Sequence, residues 1–250
     1  MVPERLDQAL AARGLVSSRS QAESYIKLGY VMVNGKVVSK PSLLVGWDVK
    51  IELTAKRQYV SRAALKLASV ARVLNLDFTG KVVLDIGSST GGFTDYALKH
   101  GASKVIAVDV GTNQLHSSLR TDERVELHEQ TDIRDYVIGP SYHIQTAHID
   151  IVLIDVSFIS LQDILPAVKR LVNNQTMIVA MVKPQFEAYK ADFKHKGVIK
   201  NEKMRRNTLK DFETWVQKLF KVLDKADSEV AGARGNQERF YLLRKLTTTN

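Results

Sequence analysis

The chain has 250 residues, 44% of them hydrophobic, which is enough for one large core or two domains. It contains no cysteine, so disulfides, iron–sulfur clusters, cysteine-rich zinc sites and thiolate catalysis are excluded. The formal net charge is +9, and residues 1–60 carry nine Lys/Arg against five acidic residues. Such a basic segment is typical of proteins that bind nucleic acid, although an ordinary solubilising charge explains it equally well.

The first ten residues, MVPERLDQAL, are charged and lack the apolar core of a signal peptide. The longest apolar runs have about half a dozen residues, far fewer than the ~20 that span a bilayer. We therefore expect a cytoplasmic protein that does not contact membranes.

The first 55 or so residues predict two short helices followed by strands. RLDQALAARGL has apolar residues at helical spacing, and in SSRSQAESYIKLGY Ser18 and Gln21 form a capping box while Gly29 ends the helix. VMVNGKVV is typical of a hairpin closed by the Asn34-Gly35 pair of a type I′ turn. WDVKIEL adds a further strand.

After the basic connector TAKRQYVSR, strands and helices alternate. We expect strands in KVVLDIG, KVIAVDV, VELH, IDIVLIDV, TMIVAMV and ERFYLLRKL, and helices in FTDYALKHG and LQDILPAVKRLV. Before the last strand we predict one long amphipathic helix with a single apolar stripe: Leu209, Phe212, Trp215, Val216, Leu219, Phe220 and Leu223. This alternation predicts an α/β fold with a parallel, doubly wound, Rossmann-like sheet.

The turn after the first of these strands, VVLDIGSSTGGFTD, is rich in glycine. Its spacing is neither the dinucleotide fingerprint nor a P-loop. Asp85 in the turn disfavours a pyrophosphate but suits a ligand with a cationic amino acid end, and Asp109 after the next strand suits ribose hydroxyls. S-adenosylmethionine has both features, so we expect it as the cofactor, the alternative being a plain βα turn.

The acceptor of a methyl group is also constrained. Methylation of base carbon 5 generally needs a cysteine, and methylation of base amino groups usually needs a proline-rich turn after the fourth strand, where this chain has DVSF. A hydroxyl acceptor is therefore favoured.

Asp155 and Lys183 follow two strands of the predicted sheet. Because parallel strands end at the same edge, we expect these side chains to lie close to the glycine-rich turn. A ribose hydroxyl is a poor acid, and a lysine can act as its base if burial and a cationic neighbour lower its pKa, while carboxylates hold the lysine in position. Lys66 and Glu238 complete a plausible set of four, although for each residue alone a surface salt bridge is the competing interpretation.

Several stretches together resemble a known family. RLDQALAARGLVSSRSQAESYIKLGYVMVNGKVV is similar to the S4 domain, an RNA-binding domain. YVSRAALKL, LDIGSSTGGFTD, VDVG, DVSFISL, VKPQFE and GNQE resemble the TlyA/hemolysin A family of FtsJ-like, S-adenosylmethionine-dependent RNA 2′-O-methyltransferases. The match runs from Arg5 to about Leu243. It departs from the family pattern at Arg239, where an aromatic or aliphatic residue often follows the glutamate.

The resemblance implies a Lys-Asp-Lys-Glu catalytic tetrad at Lys66, Asp155, Lys183 and Glu238, and methylation of cytidine ribose in ribosomal RNA. With it we expect a larger set of residues to bind the cofactor, namely Asp85, Gly87, Ser88, Gly91, Gly92, Phe93, Asp109, Val110, Asp132 and Ile133. No metal site is predicted.

The sequence thus predicts an S4-type RNA-binding domain at residues 1–58 and an FtsJ-like methyltransferase domain at residues 59–250, acting on ribosomal RNA or ribosomal subunits. Two alternatives stay open at this point. One is a non-catalytic RNA-binding or ribosome-assembly protein, and the other is a membrane-active hemolysin. The intact glycine-rich turn argues against the first, and the composition argues against the second.

Overall fold

The structure is a computed structural model that describes residues 3–16, 18–55, 59–135, 148–188, 199, 201–232 and 235–247. Its strands form two small sheets in the N-terminal part and one seven-stranded sheet in the C-terminal part. Over the described ranges, no helix is both long and apolar enough to cross a membrane.

The N-terminal part packs two helices beside two small sheets. The helices are α1 (Leu6–Ala12) and α2 (Arg19–Lys27). One sheet pairs β1 (Glu4–Arg5) with β4 (Leu44–Val45), and the other has the order β3 (Lys36–Val37), β2 (Val31–Val33), β5 (Ile51–Leu53). Their apolar faces meet in one buried cluster that includes Leu6, Leu10, Tyr25 and Ile26.

The local signals read from this part of the sequence are confirmed. The Ser18 hydroxyl accepts a hydrogen bond from the Gln21 backbone N–H, which satisfies one of the free donors at the start of α2. Gly29 follows α2 with φ +74°, the left-handed conformation that ends many helices. Asn34 and Gly35 both have positive φ, as a type I′ turn requires, and they join β2 to β3.

The C-terminal part is a mixed sheet covered by helices. Its strands are β6 (Val82–Ile86), β7 (Lys104–Val108), β8 (Val125–His128), β9 (Ile151–Ile154), β10 (Met177–Val182), β11 (Phe220–Asp227) and β12 (Arg239–Lys245), in the order β11-β12-β10-β9-β6-β7-β8. Its helices are α3 (Arg62–Ala71), α4 (Gly92–Lys99), α5 (Ser117–Arg120), α6 (Leu161–Leu171), α7 (Pro184–Glu187) and α8 (Glu202–Val216). The five strands from β10 to β8 are parallel, as the sequence predicts.

The prediction of one long helix with a stripe from Leu209 to Leu223 is wrong in its second half. Helix α8 ends at Val216, and Phe220 begins β11, an edge strand antiparallel to β12. Apolar residues such as Phe220 continue the helical spacing of α8 but reach the core from strand β11. Over so short a run, periodicity alone does not distinguish a helix from a strand. Because β12 is also antiparallel to β10, the sheet is mixed rather than wholly parallel.

Helices cover both faces of the sheet, which explains why its central strands are apolar at nearly every position. The core on one face includes apolar residues of α6 and α8, and the core on the other face includes those of α3 and α4. Because the helices cover the two faces, polar side chains of the sheet lie at the carboxyl ends of its parallel strands.

The two parts of the chain are in contact. Leu65 of α3 and Val230 belong to the apolar cluster of the N-terminal part. The Gln21 side chain of α2 donates to the Tyr59 carbonyl at 2.8 Å, and the next residue, Val60, donates its N–H to the Asp95 carboxylate of α4 at 2.9 Å. The segment that opens the C-terminal part is thus hydrogen-bonded to α2 of the N-terminal part and to α4 of the C-terminal part.

Candidate active site

Three neighbouring parallel strands bring their carboxyl ends to one edge. In the sheet register, Ile154 lies opposite Ile86 of β6 on one side and opposite Ala180 of β10 on the other. Asp155 directly follows β9 and Lys183 directly follows β10. The structure therefore places the polar ends of these strands beside the glycine-rich turn that follows β6.

Lys183 is the centre of this edge. Its ammonium lies 2.6 Å from the Asp155 carboxylate and donates a hydrogen bond of 2.7 Å to the Ser157 hydroxyl. The Phe186 ring centroid is 6.0 Å from the same nitrogen. Lys183 is only 8% exposed, so these neighbours, rather than bulk water, surround most of the cation.

Lys66 and Glu238 form a second buried ion pair, with 2.5 Å between Nζ and Oε2. Glu238 reaches this position because β12 runs antiparallel to β10 with Arg239 opposite Val182. The residue before Arg239 therefore lies next to the residue after Val182, which is Lys183. The structure thus gathers all four residues of the predicted tetrad at one end of the sheet.

Both ion pairs are close in distance but lack hydrogen-bond angles. Asp155 Oδ1 and Glu238 Oε2, the oxygens nearest the two ammonium groups, are buried atoms without a hydrogen-bond partner among the described residues. The attraction in each pair is therefore mainly electrostatic, and each oxygen keeps room to accept a better-aligned donor.

The glycine-rich turn opens a cleft of about 130 Å³ beside Lys183. A Cβ atom on Gly87 would lie 2.6 Å from the Asp155 carbonyl oxygen, and one on Gly92 would lie 2.4 Å from the Ser61 hydroxyl. Side chains are thus excluded at both glycines by close packing. The cleft is lined by Ala63, Asp85, Gly87, Ser88, Ser89, Thr90, Gly92, Phe93, Asp155, Ser157 and Lys183.

Asp85 is a fully buried carboxyl group in the wall of this cleft. Its Oδ2 accepts a hydrogen bond of 2.6 Å from Thr94, while its Oδ1 has no partner among the described residues. Burial, opposed by the Thr94 hydrogen bond and aided by the charges of Asp155 and Asp109, raises the pKa of Asp85 to about 7. The free oxygen can accept a hydrogen bond from a cationic group, and such a group would stabilise the ionised carboxylate that burial disfavours.

Asp109 follows β7 on the other side of the turn. Its two carboxylate oxygens accept backbone N–H groups of Ser89 and Gly111 at 2.8 and 2.7 Å. These bonds fix the carboxylate while leaving each oxygen a second lone pair. Val110 beside it is 70% exposed, so an apolar surface adjoins a polar one here.

The other predicted cofactor residues lie elsewhere. Gly91 caps α4 with φ +90°, and a Cβ on it would meet the side chains of Leu119 and Leu115, so it is not among the residues that line the cleft. Asp132 is held by the guanidinium of Arg134, and Ile133 is buried in the core. Like Asp109 and Val110, these three are not among the residues that line the cleft.

Two residues of the site carry no role in the sequence interpretation. Ser157 bonds to Lys183, and Phe158 is 90% exposed with φ +66°, a conformation that is strained for a bulky residue. Both belong to the DVSF stretch, which the sequence marks only as a motif. Their side-chain directions depend on the loop after β9, so spacing could not reveal them.

Glu187, whose role the sequence leaves open, fastens two segments of the site. Its carboxylate accepts the Ser160 hydroxyl at 2.6 Å and the Leu161 N–H at 2.8 Å, at the start of α6. Because Glu187 lies in α7, directly after Lys183, these bonds tie the lysine's segment to the end of the Asp155 loop.

Arg239, the departure from the family pattern, is part of a charged network behind Glu238. Asp227 of β11 accepts hydrogen bonds from Arg239 and from Arg205 of α8. Arg205 also donates to the carbonyl of Gln237, at 3.2 Å. The Asp227 carboxylate thus holds Arg239 directly, and it holds Gln237 through Arg205, so both neighbours of Glu238 are fixed.

The FtsJ-like methyltransferase family model matches residues 59–245, and the S4 domain model matches residues 4–46. This chain belongs to the FtsJ-like methyltransferase family. The resemblance stated from the sequence motifs is therefore confirmed, and the mixed α/β sheet with its glycine-rich turn is the fold of an FtsJ-like methyltransferase preceded by an S4 domain.

Relatives extend this match over nearly the whole chain. Hemolysin A of Brachyspira hyodysenteriae is 39% identical over 236 residues, covering 94% of this chain and 97% of that protein. The 16S/23S rRNA (cytidine-2′-O)-methyltransferase TlyA of Mycobacterium tuberculosis is 36% identical over 246 residues, covering 97% and 90%. A solved structure titled "Putative hemolysin from Streptococcus thermophilus" has a TM-score of 0.70 and 36% identity, covering 98% of this chain and 89% of that one.

Proposed function

We propose that this FtsJ-like methyltransferase transfers a methyl group from S-adenosylmethionine to the ribose 2′-oxygen of a nucleotide in ribosomal RNA. The names of its relatives point to cytidine as that nucleotide. The observation that carries the proposal is the pair of buried lysine–carboxylate contacts, Lys183 with Asp155 and Lys66 with Glu238, beside a glycine-rich cleft. The relatives named as rRNA (cytidine-2′-O)-methyltransferases support the substrate class.

The cleft residues fit S-adenosylmethionine by their chemistry. Asp85 Oδ1 and Ser88 Oγ are buried polar atoms without partners among the described residues, and Asp85 of β6 and Ser88 of the glycine-rich turn both line the cleft. A carboxylate suits the cofactor's amino group, and Asp109 with the exposed Val110 suits its ribose and adenine. The cofactor supplies an electrophilic methyl group on a sulfonium.

Lys183 is the proposed base. In its neutral form it accepts the proton of the 2′-hydroxyl while the oxygen forms its bond to the methyl carbon and the carbon–sulfur bond breaks. Asp155 holds the amine from one side and stabilises the ammonium that results. Lys66 and Glu238 place a second cation and anion beside this pair, which orients the acceptor nucleotide and keeps the local charge balanced.

The partner is ribosomal RNA or a ribosomal subunit, bound through the basic S4 domain. We place the boundary between the RNA-binding and catalytic domains at residues 58 and 59. Exposed apolar side chains near the N-terminal sheets, Leu44 and Trp47, and Phe158 at the catalytic edge offer surfaces for bases. Binding at two places along the chain would position one ribose over Lys183.

The test incubates the protein with labelled S-adenosylmethionine and unmodified ribosomal subunits, followed by mapping of 2′-O-methyl positions. We expect label on a ribose with the wild-type protein and a loss of at least ~100-fold in rate with Lys183→Ala. Lys218→Ala, which removes an exposed lysine after α8, is the matched control and should keep the full rate.

Label on a base, or a Lys183→Ala protein as fast as the wild type, would contradict the mechanism. Calorimetry with S-adenosylmethionine distinguishes the proposed enzyme from a non-catalytic RNA-binding protein. A purely RNA-binding protein would show no heat of cofactor binding, whereas the proposed enzyme binds the cofactor in the wild type and in Lys183→Ala alike.

A further inference from the structure

We infer that Ser157 is a positioning residue that aims the lone pair of Lys183 at the substrate hydroxyl, an inference that rests on the proposed function. Ser157 lines the cleft, is itself exposed, and receives the hydrogen bond of 2.7 Å from Lys183 Nζ. Among the described residues it is the side chain that meets Lys183 with hydrogen-bond angles, since the Asp155 contact does not.

The inference follows from the shape of a neutral amine. A lysine that is ready to accept a proton has two N–H bonds and one lone pair besides its bond to Cε, and these four directions are tetrahedral. If the Ser157 hydroxyl accepts one N–H and the nearby Asp155 carboxylate attracts the other electrostatically, the lone pair is left in the remaining direction. Without Ser157, the amine rotates about its Cε–Nζ bond and its lone pair is aimed productively for only part of the time.

The surroundings hold the Ser157 hydroxyl in place. The loop after β9 packs so closely on the glycine-rich turn that a Cβ on Gly87 would lie 2.6 Å from the Asp155 carbonyl. Phe158 bends the chain directly after Ser157 with φ +66°. At the far end of the loop, Glu187 of α7 accepts bonds from Ser160 and Leu161. The loop that carries Ser157 and the segment that carries Lys183 are thereby fastened together.

The experiment compares Ser157→Ala with Ser157→Thr in steady-state methyl transfer to ribosomal subunits. We expect Ser157→Ala to lower kcat by roughly 10–100-fold with the KM values for cofactor and RNA unchanged. Ser157→Thr keeps a hydroxyl at the same place and should stay within about threefold of the wild type. Ser103→Ala removes an exposed serine hydroxyl at the opposite end of the sheet and is the control.

A structural role would not move the pH–rate profile, whereas the positioning role does. The Ser157 hydroxyl accepts a hydrogen bond from Lys183 Nζ, so the position of the rising limb should differ between Ser157→Ala and the wild type. Equal kcat and an identical profile in Ser157→Ala and the wild type would overturn the inference while leaving the proposed function standing.

A second measurement does not depend on turnover. In protein labelled with ¹⁵N-lysine, the Lys183 ammonium signal is identified by its loss in Lys183→Gln. Its protons should exchange with water at least several-fold faster in Ser157→Ala than in the wild type or Ser157→Thr. Unchanged exchange in Ser157→Ala would overturn the inference about Ser157, whether or not the protein methylates ribose. A wild-type protein that does not methylate ribose would instead contradict the proposed function.

Discussion

Lys66 Nζ lies 2.5 Å from Glu238 Oε2, although Lys66 belongs to α3 near the start of the C-terminal part and Glu238 precedes its last strand. Both side chains are more than nine-tenths buried. Removing one partner of a buried pair leaves an uncompensated charge in a poorly solvated place. The pair therefore links the stability of the fold to the composition of the active site.

We expect Glu238→Leu to lower the free energy of unfolding by about 3 kcal/mol, because it leaves the Lys66 cation buried without its anion. The double variant Lys66→Met/Glu238→Leu should recover most of that loss, since neither charge remains. Urea unfolding measures both. Methyl transfer should be lost in the single and the double variant, and a double variant that regains activity would show that the pair serves stability alone.

The Asp227 network should contribute a pH-dependent part of the free energy of unfolding. Burial raises the pKa of Asp227, but the hydrogen bond from Arg239 and the charges of Arg239 and Arg205 outweigh it, so the pKa of Asp227 is lowered overall. A lowered pKa means that this contribution to stability is present above the unfolded value near 3.8 and is lost as pH falls below it. Asp227→Asn should cost about 1–2 kcal/mol at pH 7 in urea unfolding, and less at pH 3.

The matched control for Asp227 is the exposed pair of Glu23 with Lys27 on α2. Glu23→Gln should change the free energy of unfolding by less than about 0.5 kcal/mol, because exposed helix pairs contribute little. If Asp227→Asn has an effect as small as Glu23→Gln at every pH, the network does not support the residues around Glu238.

The buried Asp85 should impose a pH dependence of opposite sign. Because its pKa is raised from 3.8 to about 7, the folded state keeps a proton that the unfolded state has lost, and stability falls as pH rises from about 4 to about 7. Asp85→Asn should flatten this fall, as measured by thermal unfolding between pH 5 and 8. Asp77→Asn is the control, because the Thr79 backbone N–H lowers the pKa of Asp77 below this window.

Cofactor binding gives an independent measure of the same group. If the ionised Asp85 meets the cationic amino group of S-adenosylmethionine, affinity should rise with pH through about 7 and binding at pH 6 should release a proton. Calorimetry in two buffers of different ionisation enthalpy counts that proton. A wild-type protein that releases none would place the amino group elsewhere in the cleft.

Phe158 allows strain and binding to be separated. Phe158→Gly and Phe158→Ala both remove the exposed ring, so both should weaken binding to single-stranded RNA by roughly 5–100-fold if a base stacks on it. Only glycine adopts φ +66° without strain, so Phe158→Gly should be more stable than Phe158→Ala by about 0.5–1 kcal/mol. RNA affinity equal to the wild type in both variants would show that the ring does not contact RNA.

The sequence by itself determined most of the local elements and their order, with β11 as the exception. Helical spacing in α1 and α2, the Ser18 cap, the Asn34-Gly35 turn and the apolar β6, β9 and β10 strands are short-range signals, and each formed where it was expected. The rule that parallel strands end at one edge was enough to predict that Asp155 and Lys183 lie together, because it depends on strand direction alone.

Only the tertiary structure decided which side chains meet across the chain. β11 was hidden because its apolar residues continued the helical spacing of α8, and its pairing with β12 is a long-range contact. The partners of Lys183 and of Glu238 likewise follow from sheet register and from the bend at Phe158, which a linear pattern does not encode. Local patterns fix secondary structure through short-range sterics, whereas the geometry of the site depends on how distant segments pack.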